Sequence, residues 1–176
     1  MYPLFRLGLE LMRARRAPPL AVDGVHVSRH ICWPWDIDPW MELNNGRTLT
    51  LYDLGRVPLA VRTGLVAAAR ANGWGLAVAG VSVRYRRRVR AFERIEMRSA
   101  LVGRDARFLY VEQAMRHDGE AVSGALIRTA VTSPDGIVPT DRVLAAMGLP
   151  GWHPPPPPWV EAWSQADARR PWPPEV

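Results

Sequence analysis

The spacing of apolar residues changes once along this chain, and that change limits the folds it can form. From about residue 47 to residue 72 the apolar side chains follow the 3.6-residue period of a helix, starting with leucines at 49, 51 and 54. After Trp74 they alternate with polar residues, as in strands with one buried face. Four such stretches follow one another. We therefore predict an α+β fold in which antiparallel strands pack one face against one long helix.

Turn and capping residues mark the limits of these elements. A stretch at 22–33, rich in β-branched residues, predicts a strand before the helix, and Asn44 offers the side chain for the helix N-cap. Gly55 and Pro58 interrupt the helical pattern, which predicts one broken helix or two abutting helices. Asp118-Gly119 predicts a tight hairpin turn between the last two long strands.

Length and composition place the chain among single-domain globular proteins. It has 176 residues, of which 48% are hydrophobic and 23% charged, and no stretch approaches the roughly 20 apolar residues of a membrane-spanning helix. We divide it into an apolar and basic N-terminal segment (1–20), a folded domain (21–149) and a Pro/Trp-rich tail (150–176). The tail holds four tryptophans, and we expect it to lie as a strap over the domain, because four exposed indoles would leave a large apolar area in water.

The N-terminal segment has two interpretations. Its leucines are followed by Arg13, Arg15 and Arg16, and such a stretch can lie in an anionic membrane interface with the arginines near the headgroups. It can equally dock as a helix on its own domain or on a dimer partner. A stripe formed by Leu4, Leu7 and Leu11 slightly favours the docked helix.

Polar residues concentrate between residues 33 and 56, where a loop leads into the helix. The unpaired amides of a helix N-terminus can polarise a carbonyl group and stabilise a developing oxyanion. A carboxylate in the preceding loop can activate a water molecule or attack the carbonyl itself. The alternative is that these polar residues only cap the turn and the helix, and that the nearby aromatic residues belong to the core. The candidate residues are Asp36, Asp38, Trp40, Glu42, Asn44, Asn45, Gly46 and Tyr52.

On this segment the chain resembles the 4-hydroxybenzoyl-CoA thioesterase-like branch of the hot-dog fold. The pattern D-x-D-x-x-G-H-[VM]-N-N-x-x-Y-L-x-x-x-[DE]-x-x-R falls on Asp36, Asp38, Asn44, Asn45, Leu49, Asp53 and Arg56. The resemblance covers about residues 22–133. It implies an antiparallel sheet of five to six strands wrapped around one long central helix, and acyl-CoA thioesterase activity without a cofactor.

The resemblance also implies roles for particular residues. It implies that Asp36 is the catalytic carboxylate, that the amides near Asn45 and Gly46 polarise the thioester carbonyl, and that the protein is a homodimer or homotetramer. The chain departs from the pattern at Met41-Glu42, where the family has Gly-His, and at Thr48, where it has tyrosine. Glu42 is therefore a second candidate for the base. The alternative function is a non-catalytic acyl-binding or membrane-associated module.

The basic residues, the histidines and the single cysteine limit the partners and the metal sites that we expect. All 23 basic residues are arginine, the net charge is +6, and Arg84, Arg86, Arg88 and Arg90 share one face of a predicted strand. Because no aromatic residue is interleaved on that face, we expect a solvated face or contact with CoA phosphates, and no nucleic-acid partner. Cys32 is the single cysteine. Among the histidines, only His26 and His30 are spaced like metal ligands, and on a strand their rings lie well apart, so we predict no metal site. We expect a cytoplasmic protein, with peripheral contact at the inner face of a membrane as the alternative.

Overall fold

The structure is a computed structural model that describes residues 3–171 and 173–174. Within these residues, helices and strands follow one another as α1 (Leu4–Arg16), β1 (His26–Ile31), α2 (Asn45–Arg62), α3 (Leu65–Ala71), β2 (Gly75–Tyr85), β3 (Arg94–Arg104), β4 (Phe108–His117), β5 (Glu120–Ser133), β6 (Gly136–Ile137), α4 (Thr140–Ala146) and α5 (Pro158–Ala168). A single 3₁₀ turn, Pro34–Asp36, lies in the described loop between β1 and α2.

The strands form one antiparallel sheet in the order β1-β3-β4-β5-β2, and β6 pairs with the end of β5. The sheet curls around α2, which contacts β1, β3 and β4. β1 and β2 are therefore the two edges of this five-strand path, and α2 fills its inner face. This arrangement confirms the predicted α+β fold with a sheet of five to six strands around one long helix.

Helix α2 begins where the capping chemistry predicts. The Asn44 side-chain oxygen accepts hydrogen bonds from the backbone N–H groups of Gly46 (2.9 Å) and Arg47 (3.2 Å). At Gly55 the helix lies so close to β3 that a Cβ atom would come within 2.5 Å of the Ser99 hydroxyl oxygen. A glycine is thus needed for this close packing. On the same helix, the side chains of Leu51, Tyr52 and Leu54 are fully buried.

Two boundaries differ from the sequence-based expectation. The helix continues through Pro58 to Arg62, and the break before α3 falls at Gly64, whose φ of 83° is left-handed. The predicted interruption at Gly55 and Pro58 is therefore wrong in position, although two abutting helices do form. The first strand is shorter than 22–33, because the Gly24 N–H donates to the Ala21 carbonyl in a turn.

The N-terminal segment and the tail both pack on the domain. Helix α1 lies against α2 and buries Glu10 and Ala14. Helix α5 lies on the outer face of the sheet, where Val160 is fully buried beside Tyr110. Trp152 and Trp163 pack against apolar clusters, whereas Trp172 lies outside the described residues. Across residues 3–171 and 173–174, no helix combines the length and apolar character needed to cross a bilayer.

Candidate active site

A cavity of about 240 Å³ opens at the N-terminal end of α2. It is bounded by the loop before α2, the first turn of that helix, the end of β2 with the loop that follows it, and strands β4 and β5. The lining residues are Glu42, Leu43, Asn45, Thr48, Tyr85, Arg86, Arg87, Arg88, Val89, Met115 and Ser123. The structure thus brings two of the predicted site residues, Glu42 and Asn45, into one cavity.

The first turn of α2 presents an open hydrogen-bond donor to this cavity. Because the Asn44 side chain accepts hydrogen bonds from the N–H groups of Gly46 and Arg47, those two amides already have partners. The Asn45 N–H has no acceptor among the described residues, and Asn45 is exposed to the cavity. It lies at the positive end of the helix dipole. A carbonyl oxygen placed there would receive a hydrogen bond that strengthens as negative charge develops.

Glu42 is the carboxylate that lines the cavity. Its Oε2 atom lies 2.8 Å from Arg88 Nε, and its Oε1 atom has no partner among the described residues. The backbone around it is held in place, since Asp38 N–H donates to the Glu42 carbonyl (2.9 Å) and Leu43 N–H donates to the Val89 carbonyl (2.8 Å). Glu42 therefore has one oxygen available to accept a proton from a water molecule in the cavity.

Asp36 lies outside the cavity lining and is fully buried. Its Oδ2 atom accepts hydrogen bonds from Arg6 Nη1 (2.9 Å) and from the Trp33 N–H (3.1 Å). Its Oδ1 atom accepts from Arg47 Nε (3.0 Å) and Nη2 (2.5 Å). Two guanidinium groups, one from α1 and one from α2, thus enclose the carboxylate. A catalytic role for Asp36 stays a prediction, and this geometry is that of an anchor between two helices and the loop.

The other predicted residues do not line the cavity. Asp38 Oδ1 accepts the Trp40 N–H (2.9 Å) and shapes the loop, while the Trp40 side chain is 77% exposed. The Tyr52 hydroxyl lies 2.8 Å from Ser123 Oγ, and burial raises the pKa of Tyr52 to about 12. Tyr52 therefore supports a lining residue instead of meeting a ligand directly.

The Asp-x-x-Arg end of the sequence motif lies elsewhere on α2. Asp53 and Arg56 form an ion pair one turn apart at the edge of a separate, mainly apolar cavity of about 290 Å³. This cavity shares no lining residue with the one at the helix N-terminus. The sequence motif is thus divided between two places in the fold.

Sequence reasoning missed the residues that strands bring to the cavity. The alternation along β2 sets Tyr85 on the opposite face from Arg84, and this signal could have identified Tyr85 as a lining residue. Partial burial raises the pKa of Tyr85. Ser123 and Met115 had no local signal. They reach the cavity because β5 pairs with β2 in a register that sets Ser123 opposite Tyr85, and with β4 in one that sets it opposite Met115.

Cys32 and the histidines do not line this cavity. Cys32 is buried, and desolvation raises the pKa of its thiol to about 11, which disfavours the reactive thiolate. Among the residues that the structure describes, no three His, Cys, Asp or Glu side chains cluster in a way that would hold a metal ion.

The curled antiparallel sheet around one helix, with its cavity at the helix N-terminus, defines a hot-dog protein. A sequence profile of the thioesterase-like superfamily matches residues 32–163, and the chain belongs to that superfamily. Both the predicted family and the predicted hot-dog fold are confirmed.

Known proteins that resemble the chain agree with this assignment. It is 34% identical to Protein THEM6 of Xenopus laevis over 142 residues, which are 76% of this chain and 68% of that protein. It is 34% identical to Protein THEM6 of Danio rerio over 107 residues, which are 58% of this chain and 53% of that protein. The chain thus spans about half the length of the Danio rerio protein. The DHNA-CoA thioesterase of Staphylococcus aureus has a similar fold, with a TM-score of 0.62, 14% identity and coverage of 82% of this chain and 91% of that one.

Proposed function

We propose that this protein hydrolyses acyl-CoA thioesters in the cavity at the N-terminal end of α2. The observation that carries the proposal is the presence of the open Asn45 N–H and the Glu42 carboxylate in one cavity. Membership of the thioesterase-like superfamily supports the reaction class. The Staphylococcus aureus protein of similar fold is a DHNA-CoA thioesterase, which supports a CoA thioester as the substrate class.

The proposed reaction uses these two groups. The thioester carbonyl oxygen accepts a hydrogen bond from the Asn45 N–H, which stabilises the charge that develops on that oxygen. Glu42 takes a proton from a water molecule while the water oxygen bonds to the carbonyl carbon. The tetrahedral intermediate then collapses, the carbon–sulfur bond breaks, and the leaving thiolate receives the proton from Glu42. The products are a carboxylic acid and free CoA.

We assign the base to Glu42 because Asp36 is enclosed. Both Asp36 oxygens accept hydrogen bonds from arginines, and the side chain has no exposed area. Its backbone carbonyl also accepts the Asn44 N–H (2.9 Å), which ties the loop to the helix cap. We therefore propose that Asp36 positions the loop, and that Asp38, Asn44 and Gly46 shape the same loop and helix start. Trp40 stays a predicted substrate contact, and we give it no role in the reaction.

The arginines at the cavity fit an anionic substrate. Three consecutive residues, Arg86, Arg87 and Arg88, line it, and the Arg86 side chain has no partner among the described residues. Cationic side chains at the mouth of a cavity raise the local concentration of an anion. We therefore propose that this run attracts the phosphates of CoA.

A hydrolysis screen over acyl-CoA chain lengths, with free thiol as the readout, tests the proposal. We expect Glu42→Gln to lower kcat by about 10²–10⁴-fold, the usual contribution of a general base. Glu161→Gln is the matched control, because it makes the same chemical change at an exposed carboxylate of α5 that does not line the cavity, and it should keep most of the activity.

The same screen distinguishes the alternatives. Asp36→Asn should reduce the free energy of unfolding by about 3–5 kcal/mol, because it leaves two arginines without their buried partner. If Asp36→Asn instead stays stable but inactive while Glu42→Gln remains active, Asp36 is the base, as the family resemblance implies. If the wild-type protein binds acyl-CoA but cleaves none, the protein is the non-catalytic acyl-binding module.

A further inference from the structure

The outer face of the sheet carries a groove of about 670 Å³ beside helix α5. Its floor consists of small residues of β4 and β5. Its distinctive side chains are Trp159 and Trp163 of α5, Arg84 of β2, Arg86 in the loop after β2, and Glu112 of β4. Sequence reasoning found no aromatic residue on this arginine-rich strand face. The tail supplies two aromatic residues to this face, because α5 folds back over the sheet.

Helix α5 is a fixed wall of this groove. Ser164 Oγ lies 2.8 Å from the hydroxyl of Tyr110 on β4, which joins the middle of α5 to the sheet. Arg128 of β5 pairs with Asp167 at 2.6 Å, and its guanidinium lies 5.1 Å from the centre of the Trp163 ring. Because Arg128 and Asp167 are largely buried, this pair holds the end of the helix in place.

The groups left free in the groove fit a nucleotide. The Trp159 side chain is 49% exposed, so its indole face is accessible for stacking on a base. Arg84 and Arg86 are exposed, and neither side chain has a partner among the described residues. A planar guanidinium is suited to bidentate contact with phosphate. These two arginines outnumber the one carboxylate, Glu112, that lines the groove.

The groove also adjoins the candidate active site. Arg86, just after β2, and Ser123 of β5 line both cavities, so the two cavities adjoin at these residues. A CoA thioester has matching parts, because its pantetheine arm joins the reacting sulfur to an adenosine that carries a diphosphate and a 3′-phosphate. We propose that this groove binds the nucleotide end of a CoA thioester, with Trp159 against the adenine and Arg84 and Arg86 on the phosphates. The proposal rests on the proposed function for its choice of CoA.

Titration of the full chain with adenosine 3′,5′-bisphosphate tests the groove without any reaction. We expect the wild-type protein to bind it, and Trp159→Ala and Arg84→Ala each to weaken binding about tenfold. Trp159→Phe should keep most of the affinity, because it retains an aromatic face. Arg70→Ala is the matched control, since Arg70 is exposed on α3 and does not line the groove. Absence of binding, equal weakening by Arg70→Ala, or tighter binding of a single-stranded oligonucleotide would each overturn the proposal.

Kinetics separate this proposal from the proposed function. The same acyl group is offered as a CoA thioester and as an N-acetylcysteamine thioester, which has no nucleotide. We expect Trp159→Ala and Arg84→Ala to lower the ratio of kcat/KM for the first substrate to that for the second about tenfold. An unchanged ratio with active enzyme refutes the groove and leaves the hydrolase intact. If no thioester is cleaved but bisphosphate binding depends on Trp159 and Arg84, the proposed hydrolysis is refuted and the groove is supported as a nucleotide-binding site.

Discussion

At the scale of single residues, Met41 has a backbone conformation that favours glycine. Its φ is 61°, in the left-handed region that favours glycine, and the resembling family pattern has glycine at this position. A Cβ atom in this region costs roughly 1–2 kcal/mol. The Met41 side chain is 70% exposed, so little packing offsets the cost.

We therefore expect Met41→Gly to raise the free energy of unfolding by about 1 kcal/mol, because glycine adopts this φ without the steric penalty. Urea denaturation measures the change. Met41→Ala is the control, since it removes the same exposed side chain but keeps the Cβ atom. A glycine variant no more stable than the alanine variant would show that the loop is not strained at this residue.

At the scale of elements, β1 turns a polar face toward the protein interior. His26, Ser28 and His30 are all buried, and the Ser28 hydroxyl lies 2.8 Å from His30 Nε2. Arg62 Nη1 donates to His26 Nδ1 (3.1 Å), so His26 accepts as a neutral ring. Burial lowers the pKa of both histidines to about 4. The cation Arg62 adds to this effect at His26, and Arg6, Arg13 and His26 add to it at His30.

This strand makes stability depend on pH. Between pH 6.5 and about 4 the unfolded chain binds protons at these two histidines and the folded chain does not. The contribution of these two histidines to the free energy of unfolding is therefore complete above pH 6.5. It is lost as the pH falls toward 4, by about 3 kcal/mol per histidine. Urea denaturation across this range measures the loss. His30→Gln should flatten the pH profile, and an unchanged slope would show that His30 does not control it.

Helix α1 presents two different faces, which correspond to the two interpretations of the N-terminal segment. Leu7 and Ala14 pack toward the domain, whereas Leu4 and Phe5 at the start of the helix and Met12 near its basic end are exposed. The docked helix therefore forms, and its outer face remains available for the proposed membrane contact.

The two faces of α1 offer a matched pair of substitutions. Phe5→Ser should weaken sedimentation with anionic phospholipid vesicles about tenfold or more without changing stability, because a phenylalanine side chain contributes about 1.5–3 kcal/mol on leaving water. Leu7→Ser should instead lower the free energy of unfolding. Vesicle binding that is absent in the wild-type protein, or unaffected by Phe5→Ser, would leave α1 a docked helix only.

At the scale of the whole molecule, the two edges of the sheet differ. Along β1, buried and exposed residues alternate, whereas no residue of β2 is fully buried. Leu76, Val78 and Val81 are exposed apolar residues on this β2 edge. An open apolar edge favours pairing with another strand. We therefore propose that two copies of the chain pair through β2, in line with the homodimer that the family resemblance implies.

Lysine substitutions on the two edges test this assembly. Val78→Lys should raise the dissociation constant of the dimer at least tenfold, because a charge on an edge strand opposes pairing. Val27→Lys, on the exposed side of β1, is the matched control and should leave the dimer intact. Light scattering with size-exclusion chromatography measures the mass. A monomeric wild-type protein, or dissociation by Val27→Lys alone, would refute pairing through β2.

Local patterns in the sequence determined where the helices and strands form and which loop and helix start carry the candidate site. The Asn44 cap, the turn at Asp118 and Gly119 (φ of 48° and 81°) and the alternation along the strands depend on hydrogen bonds and sterics within a few residues. These features could be predicted because no distant residue is needed to form them. The motif likewise located Glu42 and Asn45 beside the helix N-terminus.

Only the tertiary structure decided which side chains share a surface. Asp36 is enclosed because Arg6 lies 30 residues before it and Arg47 lies 11 residues after it, and packing of α1 and α2 brings both to it. Tyr85 and Ser123 meet through strand register, and Trp159 lines the same groove as Arg84 because α5 folds over the sheet. Such contacts depend on how elements pack across long stretches of chain, and the residue pattern of a single element does not encode them.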